Sequence, residues 1–274
     1  MSLKRLFVHF DGSARAERAL DTALRLADGH DAHVIGCAVE SIPTLPSAVG
    51  VQVPAAVYDA IRAEVRAAMD KARIIFEESC RKAGRADRCE WQEVEGDPAH
   101  ALAEAARCTD LIVLGQSEPD RDPAHIEALP DDLVMMAGRP ILAVPYIGAP
   151  KTTGKNILVA WRNGREAARA VMDALPLLQQ AEQVTILCIN ASKWDDLPGA
   201  DIARWLAEHG VACRIERVST EVDPADTILN WVSDNGADLI VMGAYGHSRL
   251  RETVLGGTTR GILRHMTVPV LIAH

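Results

Sequence analysis

A chain of 274 residues, 48% hydrophobic and 24% charged, has ordinary globular composition and length enough for two domains. A formal net charge of -9 argues against the clustered basic surface that a nucleic-acid backbone requires. Aromatic residues make up only 4%, and no apolar run approaches the ~20 residues of a membrane helix, so neither a base-stacking platform nor a membrane partner is expected.

Lys4 and Arg5 precede an apolar run at 6–10 that Asp11 cuts off, too short for the apolar core of a leader; it predicts a first strand. The turn Asp11-Gly12-Ser13 then opens a segment with apolar residues at helical spacing. A strand-like run at 33–39 is followed by an Ala-, Val- and Pro-rich stretch at 41–57, a long helical segment and a further strand at 88–94. Asp97 stands where an N-cap should, with Pro98 at the first helical position. The run Asp-Leu-Ile-Val-Leu-Gly at 110–115 predicts a central strand covered on both faces, and a short strand at 139–145 closes this half.

Gly, Pro, Lys and Thr at 148–154 mark an exposed joint. Beyond it the order starts again. Residues 156–178 align without a gap to 5–27, strands are expected at 184–189 and 212–218, and Asp223-Pro224-Ala225 repeats Asp97-Pro98-Ala99. The run at 238–243, Asp-Leu-Ile-Val-Met-Gly, repeats the central strand, and 268–273 repeats the last. Strands alternating with helices imply parallel pairing. The expected fold is therefore α/β, two tandem doubly wound five-stranded parallel sheets of strand order 3-2-1-4-5, Rossmann-like, with domains at 1–147 and 155–274.

The six cysteines fall at scattered spacings, with no Cys-x-x-Cys and no neighbouring histidine, so no metal site is expected. They read as small core residues of a reduced, cytoplasmic protein.

Chemistry concentrates after the fourth strand of the second half. Gly243 and Gly246 are followed by nine residues, then by Gly256, Gly257, Thr258 and Thr259 at a helix start. Glycines at a strand-to-helix turn allow close backbone approach, and a helix N-terminus offers free N–H groups to an anion. Between the first and fourth strands of such a sheet the winding reverses, which is where a phosphorylated ligand lies. His247, Arg249 and Arg251 could contact phosphates or gate the loop, or belong to a solvated turn, the reading preferred for Arg251; Tyr245 reads as packing on the turn, and Ala160 and Trp161 as the end of the first strand and the cleft wall.

This pattern of repeat, strand, glycine loop and helix resembles the universal stress protein family over both halves. The resemblance implies ATP or a related adenine nucleotide as ligand, with or without magnesium, at Ala160, Trp161, Gly243, Gly246, His247, Arg249, Gly256, Gly257, Thr258 and Thr259. It also implies pairing of last strands across a two-fold axis, so that the two halves mimic a dimer within one chain, with a further homodimer and a protein partner left open. Two departures stand out. Gly257 occupies the place of the family's hydroxyl residue, and Arg162, Asn163 and Gly164 replace an Asp-Gly-Ser turn. Guanidinium offers only donors, so Arg162 cannot accept from an adenine amino group.

The first half keeps Asp11, Gly12 and Ser13, with Asp11 read as a helix cap, and Gly115, but then runs Gln116-Ser117-Glu118-Pro119-Asp120 with no second glycine. A vestigial site without triphosphate is expected there. No nucleophile elbow, zinc-peptidase motif or lysine-bearing phosphate loop occurs, so no catalytic residue is assigned and any ATPase activity is expected to be weak. Three functions follow in order: a stress-response nucleotide-binding regulatory module, an interaction or chaperone-like protein without nucleotide, and a slow ATP hydrolase.

Overall fold

The β-branched and aliphatic runs form strands, and the amphipathic segments between them form helices. The computed structural model describes residues 2–41, 55–117, 129–191, 197–246 and 257–274. The first half comprises β1 (Arg5–His9), α1 (Ala14–His30), β2 (His33–Glu40), α2 (Ala55–Lys82), β3 (Cys89–Glu95), α3 (Pro98–Ala105), β4 (Leu111–Gly115), α4 (Leu129–Met136) and β5 (Ile141–Val144). The second comprises β6 (Asn156–Ala160), α5 (Arg165–Leu178), β7 (Gln183–Ile189), α6 (Ala200–Glu208), β8 (Arg214–Val218), α7 (Pro224–Asn235), β9 (Leu239–Gly243), α8 (Gly257–His265) and β10 (Val270–Ala273). Of the Ala-, Val- and Pro-rich stretch, residues 42–54 lie outside the described residues, and 55–57 begin the long α2.

Each half has the expected parallel order 3-2-1-4-5, but the two sheets are one. The strands run β3-β2-β1-β4-β5-β10-β9-β6-β7-β8, joined at the centre by antiparallel pairing of β5 with β10. Leu142 faces Leu271, its own counterpart in the repeat, so the internal two-fold passes between them. This is the dimer-like arrangement that the resemblance implies, built within one chain.

Successive strand residues point to opposite faces and feed two cores. Leu6, Val8, Leu111, Val113, Leu239 and Val241 pack under α1, α2, α5 and α6. Phe7, Ile112, Leu114, Ile240 and Met242 pack under α3, α4, α7 and α8. Both cores run across the junction of the halves, which is why the central strands are apolar on both sides.

The repeated aspartate before β4 and β9 has a defined task. Asp110 Oδ2 accepts from the Lys4 and Arg5 N–H groups at 2.6 and 2.9 Å, and Asp238 Oδ1 accepts from Gly154, Lys155 and Asn156 at 3.0 Å each. Each aspartate thus satisfies the backbone donors at the start of the neighbouring first strand. Asp97 and Asp223 cap α3 and α7, accepting from His100 and Ala225, with proline in the first helical turn.

Candidate functional site

In the second half the winding reverses between β6 and β9, and their carboxyl ends meet the start of α5. Gly243 closes β9 at a point where a Cβ would lie 2.5 Å from the Ala167 nitrogen and 2.6 Å from the Glu166 carbonyl carbon. Glycine is therefore required for α5 to approach the strand end, independently of any ligand. Gly115 does the same in the first half, where a Cβ would lie 2.6 Å from the Arg15 carbonyl oxygen.

Beyond Gly243 the chain turns through Tyr245, which adopts φ 57°. Its ring packs on the core beneath α7 and α8, and its hydroxyl lies beside Asp131 and Arg260. Burial first, then the Asp131 carboxylate, pushes its pKa up. Tyr245 is thus held at the junction of the two halves. Gly246 is exposed at the carboxyl end of β9, where a Cβ would come within 3.1 Å of Glu166 Oε2. At the far end of the loop Gly257 opens α8 on the exposed surface with no atom within 4 Å of the Cβ position, whereas Thr259 is buried. Ala160 ends β6, and Trp161, half-buried, packs on the core beneath α5. His247, Arg249, Arg251 and Gly256 lie outside the described residues.

Glu166 is a crevice residue that the sequence reading passed over. It is buried in the first turn of α5, and Arg165 Nε donates to its Oε1 at 2.6 Å. Burial opposes its ionisation, but the Arg165 hydrogen bond, its own backbone N–H and the nearby His274 outweigh that and hold its pKa below the ordinary value. A charged carboxylate therefore faces Gly246. The signal was available: the gap-free alignment sets Arg162 against Asp11 and Glu166 against Arg15, inverting both charges.

The first half shows the other arrangement. Asp11 accepts from the Ser13 N–H at 3.0 Å and pairs with Arg15 one turn on. Burial works against its charge, yet Arg15, His9 and the Ser13 hydroxyl bring its pKa down to about 2. The cap of α1 is Ser13, whose hydroxyl accepts from the Ala16 N–H, which corrects the assignment of that role to Asp11. Gly12, at φ 76°, makes the turn between them. His9, Arg15, Gly115 and Pro130 line a cleft of ≈ 10 Å³, a volume on the order of one water molecule. Gln116 turns away from that cleft: its amide donates to the Leu263 and Arg264 carbonyls at 2.8 and 3.0 Å, capping the last turn of α8. Residues 118–120 lie outside the described residues. Among the described residues no cluster of three or more acidic, His or Cys side chains has metal-site geometry, and no helix is long and apolar enough to cross a membrane.

Two copies of a five-stranded doubly wound unit, joined edge to edge through their last strands, define a tandem α/β protein of the class that takes ligands at strand carboxyl ends. The sequence model of the universal stress protein family matches residues 2–127 and 154–274, and the chain belongs to that family. It is 26% identical over 169 residues to a universal stress protein of Synechocystis sp., covering 59% of this chain and 57% of that one. The curated relatives it matches are each covered over less than two thirds of their length. A universal stress protein from Archaeoglobus fulgidus shares the fold across 99% of this chain and 96% of its own, at 16% identity and a TM-score of 0.76. An Arabidopsis thaliana universal stress protein with AMP bound is 13% identical, covers 52% of this chain and 91% of its own, and has a TM-score of 0.38.

Proposed function

We propose that this protein is a cytoplasmic, stress-response nucleotide-binding module whose second half, 155–274, takes ATP at the crevice between β6 and β9. The first half, 1–147, serves as a partner domain whose own crevice is closed. The carrying observation is the open turn at Gly246, set between the end of β9 and the amino end of α8 at the point where the sheet winding reverses. In this reading the ligand site comprises Ala160, Trp161, Gly243, Gly257, Thr258 and Thr259, with Gly256, His247 and Arg249 as the further residues that the resemblance assigns to it. The residues present fit a magnesium-bound triphosphate better than a bare one, because the Glu166 carboxylate opposes uncompensated phosphate charge and is compatible with a metal. A regulatory role then requires that ligand favour one of two loop arrangements by differential affinity.

The test is calorimetric titration of nucleotide-stripped protein with ATP and magnesium, beside a folded Gly246→Asp variant. Saturable binding that the variant loses supports the reading. Glu166 favours a second one, in which the crevice holds no nucleotide and the protein acts as an interaction module. Absence of binding by the folded parent selects it.

A further inference from the structure

Cysteines at scattered positions read from sequence as unconnected, but the fold brings two of them together. Cys80 lies in the last turns of α2, and Cys89 opens β3. Gly84, at φ 69°, reverses the chain between them, and the Arg85 N–H donates to the Cys80 carbonyl at 2.9 Å. The two thiols line one open groove together with Ile74, Glu77, Arg81 and Trp91. Cys80 is buried and Cys89 is half-buried. Arg85 is fixed nearby, its guanidinium donating to Asp28 at 3.2 Å and to the Ala32 carbonyl at 2.7 Å.

The repeat supplies an internal comparison. Arg5 and Asn156 are counterparts, and the registers Arg5 to His33 and Asn156 to Gln183 make Ile35 and Thr185 counterparts. These residues pair with Glu90 and Arg214, so Cys89 corresponds to Cys213. At the helix end, the Val211 N–H donates to the Leu206 carbonyl at 2.9 Å, as Arg85 does to Cys80, so Leu206 stands where Cys80 is. The same strand position thus carries a thiol in both halves, and only the first half gives it a partner. The chemistry follows: the neighbouring Cys80 thiol, aided by Arg85, holds the Cys89 thiol below its ordinary pKa against burial, whereas burial pushes Cys213 up. Cys80 is pushed up in turn by the neighbouring Cys89 and by burial.

We propose that Cys80 and Cys89 form a peroxide-responsive dithiol that closes to a disulfide, fastening the end of α2 to the outer strand of the sheet. The Cys89 thiolate attacks one peroxide oxygen; the O–O bond breaks, leaving a sulfenic acid on Cys89 and a hydroxide that takes up a proton to become water. Cys80 sulfur then attacks Cys89 sulfur, the S–O bond breaks, and the departing oxygen leaves as a second water with the Cys80 proton. Two thiols lose two electrons to one peroxide, and the atoms balance. A partly exposed, low-pKa thiol beside a resolving thiol is the arrangement such oxidation requires.

The full chain is treated with hydrogen peroxide, alkylated, digested with trypsin without reductant and mapped by mass spectrometry. Peptides 74–81 and 89–107 should appear joined, about 2 Da below their summed mass, with Cys213 still alkylated. Cys80→Ser should stop at a sulfenic acid on Cys89. In the native chain Cys89 should react about tenfold faster than Cys213, and the difference should vanish in denaturant. Recovery of Cys80 and Cys89 as thiols while exposed Cys108 oxidises would overturn the proposal, as would equal rates at Cys89 and Cys213 or unchanged cross-linking in denaturant.

Discussion

Asp131 and Arg260 occupy the same place in the two halves, each ten residues before its last strand at Ile141 or Val270, and they meet each other, Arg260 Nε 3.3 Å from Asp131 Oδ2. Across a true two-fold a residue near the axis meets a copy of itself, so a charge there would repel its twin. Fusing the halves lets the position carry opposite charges, and Tyr245 joins the pair from the end of β9. Asp131→Arg should lower stability by about 1 kcal/mol in urea unfolding, since the pair is partly exposed and its loss is compounded by like charge. The swap Asp131→Arg with Arg260→Asp should recover most of that. A swap no more stable than the single variant would show that the pair contributes nothing.

Gly243 and Gly246 should respond differently to a methyl group. Gly243→Ala sets its Cβ 2.5 Å from backbone in α5, which cannot give way without moving the helix, so a loss of about 2–3 kcal/mol is expected. Gly246→Ala meets the end of the flexible Glu166 side chain at 3.1 Å and should stay within about 0.5 kcal/mol of the parent. Thermal unfolding of the two variants checks this, and equal effects would place the packing constraint elsewhere.

Much of this architecture is legible in the residues. Asp97-Pro98 and Asp223-Pro224 announce helix starts because capping and the fixed proline φ act locally, and the Asp-Leu-Ile-Val runs announce central strands because both their faces are buried. Local signals fail where a neighbour decides the outcome. Asp11 looks like a cap, yet Arg15 takes its carboxylate and Ser13 takes the cap. Gln116 reaches the last turn of α8, 147 residues on, and Cys80 meets Cys89 through a turn whose geometry depends on Gly84. Glu166 was visible in the alignment as a reversed charge, but its place beside Gly246 depends on the close approach of α5 to β9.

The Asp11 pair should make stability depend on pH at the acid end. Its folded pKa of about 2 lies below the ordinary 3.8, so its contribution is present above about pH 4 and is lost as pH falls toward 2. The full shift corresponds to about 2 kcal/mol, and solvent screening of a carboxylate one third exposed reduces this to about 1. Asp11→Asn should therefore be less stable than the parent by that amount at neutral pH and equal to it near pH 2. A constant difference in urea midpoint across that range would refute the assignment.

Glu166 provides the most direct probe of where phosphate would sit. Its carboxylate faces Gly246, and a bare triphosphate beside that turn would feel repulsion on the order of 1.4 kcal/mol at a separation near 6 Å and an intermediate dielectric. Glu166→Gln keeps the shape and removes the charge, so metal-free ATP should bind about tenfold more tightly in calorimetric titration. With excess magnesium the gain should shrink, because the metal already offsets phosphate charge and the lost carboxylate no longer faces it. An affinity for metal-free ATP that does not change in Glu166→Gln would mean that phosphate, if bound, lies away from Gly246, and the crevice between β6 and β9 would no longer be its site.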